Sequence, residues 1–131
     1  MLIQTYLAVM AGGALGSALR MALSLWIADR LDHPFPLGTL VVNVSGCFVI
    51  GLFGGITGPD GPWLVSPVVR QGVMIGILGG YTTFSSFSLQ TLLLANERQW
   101  LWAGANIVLS VVLCLVAVWL GALIARSITL R

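Results

Sequence analysis

Polar side chains that could take part in binding or catalysis lie inside stretches of this chain that are otherwise apolar. Thr39 and Asn43 are four residues apart, and so are Asn106 and Ser110; residues at this spacing share one face of a helix. Their hydroxyl and amide groups are hydrogen-bond donors. Each pair offers either a hydrogen bond between packed helices or part of a binding surface for a small ligand. For either pair taken singly, the interhelical hydrogen bond is the simpler interpretation.

A third polar segment, GGYTTFSSFS at residues 79–88, has the composition of an interrupted helix. Glycine destabilises a helix interior by about 1 kcal/mol relative to alanine, and two threonines follow the two glycines closely. We therefore predict a break formed by Gly79, Gly80, Thr82 and Thr83. Broken backbone at membrane depth has free carbonyl and amide groups. It is tolerated only where it is buried in protein or lines an aqueous cavity, and it often binds ions there.

Aromatic and hydroxyl side chains directly follow the predicted break. Phe84 and Phe87 are three residues apart and share a helix face, and Ser85, Ser86 and Ser88 stand beside them. The edge of a phenyl ring is its positive part. Ring edges among hydroxyl and amide donors would suit a small anion that has to lose its water without meeting a full positive charge.

The elements that must position these residues are membrane-spanning helices. Of the 131 residues, 58% are hydrophobic and 8% are charged, and the mean hydropathy is +1.01, which indicates a membrane protein. Roughly 20 apolar residues cross a bilayer as a helix. We predict an all-α membrane protein with four transmembrane helices, the third broken mid-span, in a single domain of residues 1–131. The spans are expected at about 3–28, 37–58, 68–95 and 100–126.

Small residues recur at every fourth position in three of these spans. The positions are Ala8, Gly12 and Gly16, then Gly51 and Gly55, then Gly72, Gly76 and Gly80. Stripes of small residues allow helices to pack closely in lipid. We therefore expect these positions to lie at helix contacts.

Several classes of function find no support in the residues. The chain lacks an HExxH motif, a paired-cysteine motif and a nucleophile with an adjacent base, so we do not expect an enzyme. The net charge of +2 comes from arginines spread along the chain, which gives no basic patch for nucleic acid. Cys47 and Cys114 fall inside predicted spans, where we expect buried thiols rather than a disulfide.

The arginines give the chain no preferred orientation in a membrane. With four spans, Arg70, Arg126 and Arg131 lie on one side, and Arg30 and Arg98 lie on the other. The positive-inside rule needs a larger imbalance than this to fix an orientation. Insertion in both orientations would explain the balance, and two oppositely oriented copies could pair as inverted repeats do in transporters. A chance balance of small counts is the alternative.

Arg20 is the charged residue inside the first predicted span. A helix that starts at Gln4 places it about 24 Å along the axis, at 1.5 Å per residue, which is near the far interface. Two interpretations stay open. The side chain extends to the headgroups, or it raises the local concentration of anions at the mouth of a pore.

Two segments resemble the signature sequences of a known family. GTLVVNVSGCFVIG at residues 38–51 and GILGGYTTFSSFS at residues 76–88 are similar to those of the small bacterial fluoride channels called Fluc or CrcB, and the resemblance covers the whole chain. It implies passive, fluoride-selective export from the cytoplasm, which lowers fluoride toxicity. It also implies a multi-pass protein of the bacterial inner membrane. Two copies would form an antiparallel homodimer with two pores and a structural sodium ion on its two-fold axis.

The same resemblance assigns roles to individual residues. Asn43 matches the pore asparagine, and Phe84 and Phe87 match the phenylalanines that line the ion path. The backbone carbonyls of Gly79 and Thr82 match the sodium ligands. Arg20 matches the arginine of the first span. The residues that match the polar track are Thr39, Ser85, Ser86 and Ser110.

Three positions depart from the common pattern of that family. Ser86 stands where threonine is usual, and it keeps a hydroxyl group. Gln90 stands where glutamate is usual, which removes a carboxylate from the end of the polar stretch. Asn106 stands where many members have tyrosine. The resemblance leaves open whether Gln90 and Asn106 change the rate of fluoride conduction.

Two other functions stay open. A small multidrug-resistance-type exporter driven by protons is also a four-span chain, but it needs an ionisable carboxylate inside the membrane. The four acids of this chain, Asp29, Asp32, Asp60 and Glu97, are at or beyond the span ends, which argues against that class. A membrane subunit without transport activity would have no need of a broken third helix.

Overall fold

The computed structural model describes residues 1–31 and 33–130; Asp32 and Arg131, which entered the charge arguments above, lie outside the described residues. Within that range the chain is helical and contains no strand. The helices are α1 (Leu2–Arg30), α2 (Leu37–Ile56), α3 (67–81), α4 (Phe84–Asn96) and α5 (Trp100–Thr129). Because α3 and α4 together form the span Pro67–Asn96, four segments of the described chain are long and apolar enough to cross a membrane. The predicted all-α architecture with four such helices is confirmed.

α3 begins with a capped turn and then widens. The Ser66 Oγ accepts a hydrogen bond from the Val69 amide at 3.3 Å, and Pro67 occupies the first turn, where its missing N–H is harmless. After Pro67–Gln71 the backbone is π-helical over Gly72–Leu78 and returns to α-helix at Gly79–Tyr81. Wide turns of this kind often occur near functional sites, and this one leads directly to the break.

The break between α3 and α4 consists of two residues. Thr82 has φ −79° and ψ 158°, and Thr83 has φ −153° and ψ 119°, so both are extended. Gly79 and Gly80, which we expected within the break, are helical, and that part of the prediction is wrong. A Cβ on Gly80 would lie 2.6 Å from the Gly13 carbonyl oxygen. Glycine is therefore needed at this position for close helix packing rather than for interruption.

α1 packs on α3 along a line of glycines, which we name the glycine seam: Gly12, Gly16, Gly72, Gly76 and Gly80. A Cβ on Gly12 would lie 2.5 Å from the Gly72 carbonyl oxygen, and one on Gly76 would lie 2.9 Å from the backbone of α1. These separations are too short for a side chain, so the two backbones are in contact. The predicted close packing of these stripes is confirmed.

α2 and α5 run parallel in a fixed register. Gly51 lies against Val118, and Gly55 lies against Ala122 and Ala125. The offset between Gly51 and Val118 equals that between Gly55 and Ala122. Continued one helical turn at a time toward the start of both helices, this offset pairs Cys47 with Cys114, Asn43 with Ser110, and Thr39 with Asn106. We name these three facing pairs the polar seam.

Candidate functional site

Asn43 holds the break in the third span. Its Nδ2 donates to the Thr83 carbonyl oxygen at 2.9 Å, and its Oδ1 accepts from the Thr83 amide at 2.8 Å. The amide nitrogen of the backbone only donates, so this pair fixes the orientation of the Asn43 side chain. Asn43 is 8% exposed and takes the place of the helical acceptor that the Thr83 amide lacks. Since Nδ2 carries two hydrogens, a second N–H is left as a donor.

Thr83 caps α4 and gathers the hydroxyl groups behind the break. Its Oγ1 accepts from the Ser86 amide at 3.2 Å, which is the usual N-cap hydrogen bond. The same oxygen lies 3.2 Å from the Ser85 Oγ and 3.1 Å from the Ser86 Oγ. Ser85 and Ser86 therefore support the start of α4, together with Thr83, instead of lining the groove described next.

A groove of about 310 Å³ runs beside the break, between α2, α4 and α5. Among the predicted residues it brings together Asn43, Thr82, Phe84, Phe87 and Ser110. The two phenyl rings are in contact, with centroids 5.1 Å apart and planes at 54°. Phe87 is 8% exposed, whereas Phe84 is 77% exposed. One ring is thus fixed inside the chain and the other projects from it.

A wider cavity of about 530 Å³ adjoins the groove at the ends of α1, α2 and α4. Thr39, Gln90 and Glu97 are among its lining residues. Thr39 lies one helical turn before Asn43 on α2, so the cavity and the groove follow each other along that helix. The Gln90 Oε1 is buried and has no hydrogen-bond partner among the described residues.

A hydrogen-bonded chain joins α4 and α5 behind the groove. The Ser110 Oγ donates to the Asn106 Oδ1 at 3.3 Å, and the Asn106 Nδ2 donates to the Thr91 Oγ1 at 2.8 Å. Asn106 is 2% exposed. At Asn106 the interhelical hydrogen bond that we kept as the simpler interpretation is present, whereas Ser110 bonds within α5 and also reaches the groove.

Arg20 reaches the break from the α1 side. Its Nη1 donates to the Thr82 carbonyl oxygen at 3.4 Å, and Thr82 lies near the middle of the span Pro67–Asn96. The guanidinium group is therefore at mid-span, and the expected depth near the far interface is wrong. Side chains on a helix point back toward its N-terminus, and the break offers Arg20 a carbonyl group that a continuous helix would have used.

The carbonyl groups of Gly79 and Thr82 are among those that lose their helical donors at the break. In a continuous helix the Gly79 carbonyl would accept from the Thr83 amide, but that amide donates to Asn43. The Thr82 carbonyl would accept from the Ser86 amide, but that amide donates to the Thr83 hydroxyl. Unwound backbone carbonyls are the groups that bind sodium ions in broken transmembrane helices. The predicted carbonyl donors therefore fit a monovalent cation in their chemistry.

Three residues have a larger part in the site than the sequence suggested. Thr83 was predicted only as part of the break, although a threonine just before a helical segment is a typical N-cap signal. Tyr81, whose hydroxyl lies 2.8 Å from the Ser45 Oγ, and Thr91 were not predicted. Their partners lie on other helices, so no local pattern indicates them.

Known proteins resemble this chain over almost its whole length. The family model described as CrcB-like protein, Camphor Resistance (CrcB), matches residues 7–122. A Rhodospirillum rubrum protein named Fluoride-specific ion channel FluC is 62% identical over 117 residues, which cover 89% of this chain and 91% of that protein. Proteins of the same name from Opitutus terrae and Methylocella silvestris are 57% and 51% identical, covering 92% and 94% of this chain and 91% and 94% of their own lengths. The chain belongs to the CrcB family.

Proposed function

We propose that this chain is the subunit of a fluoride-selective channel, which lets fluoride leave the cytoplasm passively. The observation that carries this proposal is the break held by Asn43 beside the Phe84 and Phe87 rings in one groove. The names of the relatives support fluoride as the ion. The protein is a channel, not an enzyme, and it is a multi-pass protein of the bacterial inner membrane.

Selectivity follows from the number and placement of donors. Fluoride is the smallest halide and holds its water most tightly, so its path has to be narrow and rich in donors. The second N–H of Asn43 and the positive ring edges of Phe84 and Phe87 line the groove. Ser110 also lines it, and its single hydroxyl hydrogen, donated to Asn106, would have to turn toward the ion to join them. An ion that fits poorly leaves buried donors unsatisfied, at roughly 1 to 3 kcal/mol for each group. Chloride would therefore be excluded.

A passive path is sufficient for export. Hydrofluoric acid is a weak acid that crosses membranes as a neutral molecule and ionises in a near-neutral cytoplasm, so fluoride accumulates when the outside is acidic. An inside-negative potential expels an anion, at about 2.3 kcal/mol per charge and 100 mV. The channel would therefore lower cytoplasmic fluoride without coupling to an energy source.

We propose further that two copies assemble as an antiparallel homodimer. Within one chain the groove is open and Phe84 is 77% exposed, so its donors would face lipid, which cannot satisfy them. A second, inverted copy would close the groove, and the balanced arginines permit both orientations. A tag on the C-terminus should be accessible from both sides of the membrane. Exposure on a single side in every copy would contradict this assembly.

A structural sodium ion on the two-fold axis belongs to the same proposal. The Gly79 and Thr82 carbonyls, with their mates in the second copy, would hold it. The ion would supply a fixed positive charge and link the copies. Because a carbonyl oxygen has two lone pairs, the hydrogen bond from Arg20 to Thr82 leaves one for the cation. Replacing sodium with a large organic cation should weaken the dimer and lower flux; unchanged flux and dimer stability, with no ion on the axis, would refute it.

Flux measurements on purified protein test the function directly. Liposomes loaded with fluoride or with chloride, and carrying the protein, should release fluoride rapidly and chloride at the rate of protein-free liposomes. Comparable release of the two halides would contradict selectivity, and absence of fluoride release would support a subunit without transport activity. Release that requires a proton gradient would favour an exporter, although the described acids Asp29, Asp60 and Glu97 lie at or beyond the helix ends.

A further inference from the structure

Cys47 and Cys114 form a pair of thiols in the wall of the groove. The register of α2 and α5, fixed at Gly51 against Val118, sets them opposite each other one turn earlier. Both line the groove together with Asn43. Both are free cysteines of intermediate exposure, so a small ion in the groove has access to the sulfur atoms.

Two facing thiols are a ligand set for a soft metal ion. Thiolate sulfur is a soft ligand that selects soft ions such as Cu(I). Structural zinc sites need four ligands, and the described part of the chain holds no group of three or more histidine, cysteine, aspartate or glutamate side chains that could hold a metal. The ions that remain are those that accept two sulfur ligands in a line, namely Cu(I), Ag(I) and Hg(II).

We propose that Cys47 and Cys114 together bind one soft, two-coordinate metal ion in the groove. With mercury(II) chloride, two S–H bonds and two Hg–Cl bonds break, two Hg–S bonds form, and two protons and two chloride ions pass to water, so the step needs no oxidant or reductant. The bound ion joins α2 to α5 one helical turn from Asn43 and occupies part of the groove. It therefore obstructs the path of the anion. This obstruction rests on the proposed function, whereas the binding of the metal does not.

Binding is tested with mercury(II) chloride on the purified full-length protein. Because the chain has only these 2 cysteines, mass spectrometry under native conditions should show one mercury ion per chain, and X-ray absorption should show two sulfur ligands. The Cys47→Ala and Cys114→Ala variants should each release the mercury ion to a competing monothiol. The monothiol concentration needed should be at least about tenfold lower than for the wild type. If an alanine variant does not fold, the corresponding serine variant, whose side chain is closer in size to cysteine, replaces it in this test.

Two binding results would overturn the proposal. One is two mercury ions per wild-type chain, each on a separate sulfur. The other is a single-cysteine variant that retains mercury against the monothiol as well as the wild type does, because a shared site cannot survive the loss of one ligand.

Flux measurements test the obstruction separately. One equivalent of mercury(II) per chain should lower wild-type fluoride release from liposomes by at least about tenfold, as expected when a narrow pore is constricted, and a dithiol chelator should restore it. Addition of mercury should not change the release from the variant with both cysteines changed to alanine. Unchanged release with mercury bound through two sulfurs would contradict the obstruction. Absence of release before any metal is added would contradict the proposed function instead, and the binding result would stand.

Discussion

Two interfaces of this molecule use small residues at the same four-residue spacing for different purposes. Along the glycine seam the contact positions are glycines, and the α1 and α3 backbones touch. Between α2 and α5, Gly51 and Gly55 make similarly close contacts. One, two and three turns before Gly51, however, the positions are Cys47, Asn43 and Thr39. Spacing therefore sets which residues face the neighbouring helix, whereas residue type decides whether the helices are in close contact there or the interface carries hydrogen-bond donors.

The largest expected effect comes from a side chain placed in the glycine seam. Gly16→Ala would drive its Cβ into the backbone of Ile77 and to within 2.8 Å of the Tyr81 amide. Overpacking typically costs about 1 to 3 kcal/mol, and here backbone rather than a movable side chain stands in the way. We expect little monodisperse protein on gel filtration. Gly13→Ala is the matched control, because nothing lies within 4 Å of a Cβ there; equal behaviour of the two variants would show that the seam is not close-packed.

Removal of the residue that holds the break should have the next largest effect. Asn43→Ala leaves the buried backbone amide of Thr83 without a partner, at roughly 1 to 3 kcal/mol, and should lower fluoride flux by about 100-fold. Asn43→Asp adds a negative charge that repels the anion at low dielectric. Asn106→Ala, on the same polar seam but bonded to Thr91 and Ser110, should lose much less flux. An equal loss in the Asn43 and Asn106 variants would mean that the break is not the critical element.

A smaller effect is expected at the cap of α4. Thr83→Ala removes the oxygen that accepts from the Ser86 amide, and loss of such a cap costs about 1 kcal/mol. The melting temperature and the fluoride flux should both fall moderately. Thr83→Ser keeps the oxygen and should behave like the wild type. A serine variant as damaged as the alanine variant would indicate that the threonine methyl group, not the cap, matters.

The smallest effect is expected at Ser110. Its single hydroxyl hydrogen is already donated to the buried Asn106, so it is not a free donor in the groove that it lines. Ser110→Ala should therefore lower fluoride flux by less than about tenfold, the equivalent of a net hydrogen bond of about 1 kcal/mol. Its rate of chloride release should stay at the protein-free level. A loss as large as that of Asn43→Ala would place Ser110, rather than the break, at the centre of the path.

Much of the fold was predictable because its signals are local. Hydropathy and length locate four spans, and the threonine pair at Thr82 and Thr83 marks the break. The glycines before it were ambiguous, since Gly80 belongs both to the predicted break and to a stripe of small residues. Only the three-dimensional contact with Gly13 shows that packing is the reason for this glycine.

The site was less predictable because its contacts join distant parts of the chain. The two hydrogen bonds between Asn43 and Thr83 connect residues that are 40 positions apart. The mid-span position of Arg20 depends on a carbonyl group supplied by another helix. The resemblance to a known family named Asn43 and Arg20, but the partners that explain them follow only from helix register.

The central claim is that the groove lined by Asn43 and by the rings of Phe84 and Phe87 forms the path of the anion. The most direct test is fluoride release from liposomes that carry Phe84→Ile, with Phe53→Ile, two residues beyond Gly51 on α2, as the control. Both variants should elute as the wild-type assembly. We expect Phe84→Ile to release fluoride no faster than protein-free liposomes and Phe53→Ile to release it like the wild type. Undiminished release by Phe84→Ile would contradict the account.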